Sequence, residues 1–316
     1  MDFKDILKST EFGIFIAFLA LCAILSFATP NFLTLYNIST VMKQASFIAI
    51  ISVGMTMVIL TAGIDLSVGA VLGLVNVIAA LLINKLGLAT GISTALLCGT
   101  FLGFVNGIII VKWDLPPFIV TLGMMNIARG LALVITKGWP ITGLPECFGC
   151  LAEGRLIGVP VPVIIMIIIY ILGYLFLSRT IWGRYIYASG GNEKATWLSG
   201  VNVNKIKVLV YTITGFLSGL AGIMLASRLS QGSPITGTGY ELSVIGAVVI
   251  GGTDLMGGKG SVLGSLIGAS IMGVLANGLV LLGVSAFWQQ VILGLVIIIA
   301  VAGGSMRRKL FSKGES

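Results

Sequence analysis

A chain of 316 residues with 57% apolar and only 9% charged residues cannot cover a water-exposed surface, since soluble domains carry about 25% charged residues. Lipid must cover most of it, and the length accommodates roughly ten helical crossings of about 20 residues with no room for a large soluble domain. The net charge of +8 sits in the gaps between apolar runs, without a basic stripe or aromatic platform, which excludes nucleic-acid binding and leaves the cations as topology and headgroup residues.

The first apolar run follows Lys4 and Lys8 and resembles a signal peptide, but Ser26-Phe-Ala28 is a poor cleavage site. We read it as an uncleaved span over 12–29. Residues 30–44 are predicted to lie at the membrane interface. Further spans are predicted over 45–62, 66–84, 88–111, 117–136, 161–178, 207–227, 240–252, 261–282 and 286–303. The last two divide a charge-free interval, 260–306, that would be about 70 Å long as one helix. Segment 240–252 is too short, about 18 Å against a hydrocarbon core of about 30 Å, and reads as a half-helix of a re-entrant loop. The expected fold is an all-α membrane protein, a single transmembrane domain over 1–316. It has about ten transmembrane helices, with interruptions near 63–66 and 251–260.

Lysine and arginine placement orients these spans. With the N-terminus inside, Lys43, Lys85, Lys137, Arg155 and Arg228 fall outside, Arg129 lies within a helix, and the remaining thirteen of nineteen fall inside. Both termini are therefore expected in the cytoplasm. The longest inner loop, 179–206, is predicted to hold one short helix from Asn192 to Ser199. The longest outer loop, 137–160, is rich in Gly and Pro.

Gly63-Ile-Asp-Leu-Ser-Val-Gly69 places a carboxylate between two long apolar runs, where ionisation is costly unless the group is paired or solvated. Asp65 or Ser67 could cap the following helix, or Asp65 could act directly as a ligand or gate. Gly251-Gly-Thr-Asp-Leu-Met-Gly-Gly-Lys-Gly-Ser261 resembles a phosphate-binding loop but fails its pattern, since Thr253 and Gly260 occupy the first-Gly and Ser/Thr positions. This excludes nucleotide binding there. Ala62-Gly-Ile-Asp-Leu66 and Gly251-Gly-Thr-Asp-Leu255 form an internal echo whose copies enter from the same side.

Asn76, Asn106, Asn126, Arg129 and Asn277 are polar groups inside spans and, with Asp65, are the candidates for a solute pathway; interhelical hydrogen bonding is the competing role for each. Gly215, Gly219 and Gly222, and Gly264 with Gly268, are spaced for close helix packing. Cys22 and Cys98 read as packing residues. Cys147 and Cys150 are too few ligands for zinc, and a local disulfide stays open. No metal site, catalytic residues or bound cofactor are expected: there is no histidine, and no nucleophile–base set can be assembled.

Taken in order, Pro30-Asn-Phe-Leu-Thr34, residues 62–69, Pro117-Phe-Ile-Val-Thr-Leu-Gly123 with Arg129-Gly130, Gly190-Gly-Asn-Glu-Lys-Ala195 with Ser199-Gly200, Gly239-Tyr-Glu-Leu242, Gly251-Gly-Thr253, Gly258-Lys-Gly-Ser261 and Phe287-Trp-Gln-Gln290 resemble the permease subunits of bacterial sugar-importing ABC transporters, the ribose/xylose/arabinose/galactose group. The resemblance covers nearly the whole chain. It implies an inner-membrane permease that pairs with a second permease chain, like or unlike. ATP would be hydrolysed by a cytoplasmic ATPase subunit, and an extracytoplasmic binding protein would deliver a monosaccharide. It also implies that Gly190, Gly191, Asn192, Glu193, Lys194, Ala195 and Gly200 form the coupling element that docks on the ATPase. The chain departs from the family in following Ala195 with Thr196 and Trp197 rather than a second alanine. A stand-alone ion-coupled transporter is the alternative, and it would need more intramembrane carboxylates than Asp65.

Overall fold

The structure, a computed structural model, describes residues 10–312, with side chains described as far as residue 302. Lys4, Lys8 and Lys313, assigned above to the inner side, lie outside the described residues. The described chain forms helices α1 (Thr10–Ala28), α2 (Leu35–Leu60), α3 (Val68–Leu86), α4 (Leu88–Lys112), α5 (Pro117–Thr136) and α6 (Glu146–Glu153). A hairpin of β1 (Arg155–Leu156) and β2 (Val159–Pro160) follows, then α7 (Val161–Arg179), α8 (Ile181–Gly191), α9 (Glu193–Leu198), α10 (Val203–Leu229), α11 (Tyr240–Ile250), α12 (Val262–Leu281) and α13 (Ala286–Ser312). Eight of these, α1 to α5, α7, α10 and α12, are long and apolar enough to cross a membrane, and α13 adds an apolar stretch over Ala286–Ala302. The fold is an all-α membrane bundle.

α2 and α10 form the middle of the bundle. α2 packs against α12, α10, α11 and α7, while α10 packs against α4 and α3, with α5 outside α3. Between α4 and α10 the contact is nearly backbone to backbone. A Cβ on Gly103 would overlap the Tyr211 carbonyl oxygen and lie 2.9 Å from Gly215 Cα. Because lipid tails are as apolar as leucine, such close packing replaces the hydrophobic effect as the force between these helices. Four of the five predicted small-residue positions behave alike: Gly215 meets Gly99 and Gly103, Gly222 meets Leu72, Gly264 meets Gly251 and Gly268 meets Ala247, whereas a Cβ on Gly219 would have ordinary room, 3.6 Å from its nearest neighbours.

Three segments differ from expectation. Residues 35–44 are not an interfacial stretch but the first turns of α2, whose Thr34 cap accepts the Asn37 N–H at 3.3 Å. Their polar side chains find protein partners: Asn37 pairs with Asn277, and Lys43 with Glu153 of α6. The inner loop holds α8 as well as the predicted short helix. The outer loop is ordered into α6 and a hairpin whose turn, Ile157-Gly158, has positive φ at both residues, as a type I′ turn requires.

α11 has 11 residues, about 16 Å, so it reaches only half-way through a bilayer core of about 30 Å. The other half is supplied by the non-helical stretch 230–239. Gly232 lies against Asn76, Val77 and Ala80 of α3, and Gly237 against Gly69. The stretch therefore runs back along α3 for about 12 Å before α11 begins.

Candidate functional site

The two interrupted crossings close in the same way. At the end of α2, Ala62 N–H bonds Ile59 O and Gly63 N–H bonds Val58 O, with Ala62 at φ 58°. At the end of α11, Gly252 N–H bonds Val249 O and Thr253 N–H bonds Val248 O, with Gly252 at φ 87°. Each is a Schellman closure. Each is followed by an aspartate that folds the chain by accepting the N–H two residues on: Ser67 N to Asp65 Oδ1 at 2.8 Å, and Met256 N to Asp254 Oδ1 at 3.0 Å. The internal echo is thus a repeated turn, offset by one residue in its closure.

Asp65 is 1% exposed. Its Oδ1 also accepts the Ser67 hydroxyl at 2.6 Å, and that hydroxyl accepts Asn106 Nδ2 at 2.9 Å. Ser67 is the N-cap residue of α3 but makes no side-chain cap bond; Asp65 satisfies its N–H instead. Around the same turn, Tyr211 and Thr121 hydroxyls reach Ile64 O at 3.3 and 3.4 Å. Asp65 and Asn106 are therefore brought together, and Asn106 Oδ1 has no partner among the described residues.

The two turns touch each other and the end of α8. Gly258 N–H donates to Leu60 O at 2.9 Å. Gly190 sits on the same oxygen so closely that a Cβ there would overlap it and come within 2.6 Å of Gly258 N. Tyr187 on α8 donates to Gly260 O at 2.9 Å. Beyond Gly191 the chain turns at Asn192, which ends α8 and caps α9 by accepting Ala195 N–H at 2.9 Å. Glu193 pairs with Lys207 at 2.6 Å, while Trp197 and Leu198 project outward, 65% and 69% exposed. Gly200, at φ 84°, stops the short helix and returns the chain to α10.

The remaining pathway candidates lie apart. Arg129 Nη1 donates to Pro234 O at 2.6 Å and Thr236 O at 2.8 Å, fastening the re-entrant stretch to α5, with Glu241 supplying an opposite charge nearby. Asn76 holds the upper part of the same stretch, accepting Ser233 N–H at 2.8 Å and donating to Gly222 O at 3.1 Å. Asn126 is exposed on α5 and, among the described residues, bonds its own helix at Leu122 O. Asn277 and Asn37 exchange amide bonds at 3.0 and 2.9 Å between α12 and α2. Cys147 and Cys150 are exposed free thiols on α6.

The reciprocal amide pair carries a simple expectation. Asn277→Ala leaves a buried Asn37 amide half-satisfied, at a cost of about 1–2 kcal/mol, whereas Asn37→Leu with Asn277→Leu recovers part of that loss but not all, because Asn37 also donates to Phe32 O at 2.9 Å. Thermal unfolding of the two variants in detergent checks this; equal losses would mean that the amides act independently.

Sequence reasoning missed Leu60, Tyr187 and Tyr211 as neighbours of these turns, and Glu241 as the charge beside Arg129. Glu241 alone carried a usable signal, as a carboxylate beside an apolar run. The others act through backbone atoms or a hydroxyl that any packed helix could carry.

A family model described as the permease component of branched-chain amino acid transport systems matches residues 37–301. The ribose import permease protein of Escherichia coli K12 is 50% identical over 291 residues, 90% of this chain and 91% of that protein. The corresponding Bacillus subtilis 168 protein is 45% identical, over 92% and 91%. The L-arabinose ABC transporter permease protein of Azospirillum brasilense is 37% identical, over 94% and 88%. No solved structure matches the chain. A family match across most of the length, relatives aligned nearly end to end, and a bundle of eight long apolar helices agree: the chain belongs to this family of multi-pass permease components of transport systems.

Proposed function

We propose that the chain is the membrane-spanning subunit of an ATP-driven importer that carries a monosaccharide, or a similar small polyhydroxylated solute, across the bacterial inner membrane. It acts as a single transmembrane domain with both termini cytoplasmic. A second permease chain completes the pathway, a cytoplasmic ATPase subunit docks on α9 and hydrolyses the ATP, and an extracytoplasmic sugar-binding protein delivers the solute. This chain carries no nucleotide site of its own.

The observation that carries the substrate class is the identity of 50% and 45% to proteins named as ribose import permeases, with arabinose and D-allose permeases at 37% and 38%. The family description names branched-chain amino acids instead, so leucine is the substrate to test against. The docking role is supported by an exposed, apolar-tipped α9 whose N-terminus is fixed by Asn192 and by the Glu193–Lys207 pair. The reading without a nucleotide site is supported by residues 251–261, which fold as a turn between two helices, Asp254 N–H bonding Lys259 O at 2.8 Å. Alternating access would come from rocking of the helices on either side of the interrupted crossings.

The test is uptake by proteoliposomes holding this chain, its ATPase and its binding protein. Ribose uptake that requires all three and ATP is expected, with leucine uptake at background. Leucine uptake would overturn the substrate class, and uptake by the chain alone would favour the ion-coupled transporter. In the same preparation, Glu193→Arg should reduce ATPase co-purification several-fold while thermal stability stays nearly unchanged, because an exposed ion pair contributes little to folding.

A further inference from the structure

We infer that Gly190 is a positioning residue that transmits motion of α9 to both interrupted crossings through one backbone oxygen, Leu60 O. The inference rests on the reading of α9 as the ATPase-docking helix. It places the transmission in a residue that need not touch the ATPase.

Three chain segments meet at that oxygen. Leu60 is the last residue of α2, and its carbonyl accepts the Gly258 N–H, which belongs to the turn leading into α12. Gly190, in the last turn of α8, lies against the same oxygen with no room for a methyl group. Gly257 closes the cluster from the other side. A Cβ there would lie 2.8 Å from Ala62 N and 3.0 Å from both Leu60 O and Gly190 O. The contact is thus made of backbone from all three segments, with the Tyr187 hydroxyl adding a bond from α8 to Gly260 O.

This composition has a mechanical meaning. Side chains absorb small displacements by changing rotamer, but a backbone contact at van der Waals distance has no such freedom. Asn192 is at once the end of α8 and the cap of α9, so a push on α9 passes into α8 with little slack. At Gly190 it meets Leu60 O, and through the Gly258 bond it reaches the second turn as well. One displacement therefore loads α2 and α12 together, one helix from each of the repeated turns.

Gly190→Ala and Tyr187→Phe, each in the full complex with ATPase and binding protein, test this. Gly190→Ala, whose glycine faces Leu60 O although the sequence resemblance groups it with the docking residues, is expected to assemble with the ATPase, and its hydrolysis and uptake are read per ATPase bound. It should lose stimulation of hydrolysis by the loaded binding protein, and uptake should fall more than tenfold. Tyr187→Phe removes one hydroxyl without adding bulk; it should assemble normally and lower uptake three- to tenfold. Wild-type uptake by Gly190→Ala would overturn the inference, as would loss of ATPase binding by a correctly folded Gly190→Ala, which would make the glycine part of the docking surface. If Gly190→Ala fails to fold, unchanged uptake in Tyr187→Phe overturns it. A wild-type chain that binds no ATPase would instead overturn the underlying reading, so the two failures are distinct.

Discussion

Arg129→Ala should lower the stability of the protein by roughly 3 kcal/mol, since hydrogen bonds to a charged donor contribute about 1.5–3 kcal/mol each and two acceptors would be left behind. It should also abolish uptake. The guanidinium is half-buried, and one of its nitrogens holds both Pro234 O and Thr236 O, at 2.6 and 2.8 Å. Those carbonyls belong to the non-helical stretch that replaces the first half of a crossing. Backbone at that depth survives only when protein or water satisfies it. Without Arg129 the stretch loses the tie to α5, and α11 loses its fixed starting point at Gly239. Arg129→Lys keeps the charge but not the planar fork, and should recover part of the stability. Thermal unfolding in detergent and uptake in proteoliposomes measure the two effects. Wild-type stability for Arg129→Ala would show that Asn76 and the backbone pair between Gly232 and Ile141 suffice to anchor the stretch.

Gly103→Val is the second large expectation, with a loss of about 3 kcal/mol from overpacking of a helix contact. Valine would thrust two methyl groups into the α10 backbone at Tyr211 and Gly215. Neither side can yield by rotamer change, because the contact on α10 is also backbone. Separation of α4 from α10 would in addition pull Asn106 from Ser67. Gly13→Val on α1 is the internal comparison: nothing lies within 4 Å of a Cβ there, and the change should stay within about 0.5 kcal/mol. Equal losses at both sites would mean that helix propensity, not close packing, dominates.

The positions of the long helices were legible because 20-residue apolar runs have one dominant reading in a membrane protein. So was the deficit of segment 240–252, since length alone excludes an ordinary crossing. α9 was legible from its flanking glycines and Asn192. The continuation of α2 through residues 35–44 was not. Tyr36, Asn37, Lys43 and Gln44 look interfacial until Asn277 and Glu153, distant in sequence, are seen to pair with two of them. The polar residues were found by type, but their partners were not. Asp65 and Asn106 converge through Ser67, which drew attention only as a cap, and Asn277 pairs with Asn37 at the other end of α2. The meeting of Leu60, Gly190 and Gly258 left no trace in side-chain pattern, because a hydrogen bond between main-chain atoms is silent in sequence.

The placement of α2 also bears on how the chain is made. Thr56 shares a 2.6 Å hydrogen bond with Ser265, and Asn37 exchanges two with Asn277. These partners are translated more than two hundred residues after the α2 residues they pair with. Until α12 is made, these groups of α2 have only their local partners, Ser52 O for the Thr56 hydroxyl and Phe32 O for the Asn37 amide. Assembly is therefore tied to chain order: the helix at the centre is among the first to be made, and its contacts with α12 are among the last to form.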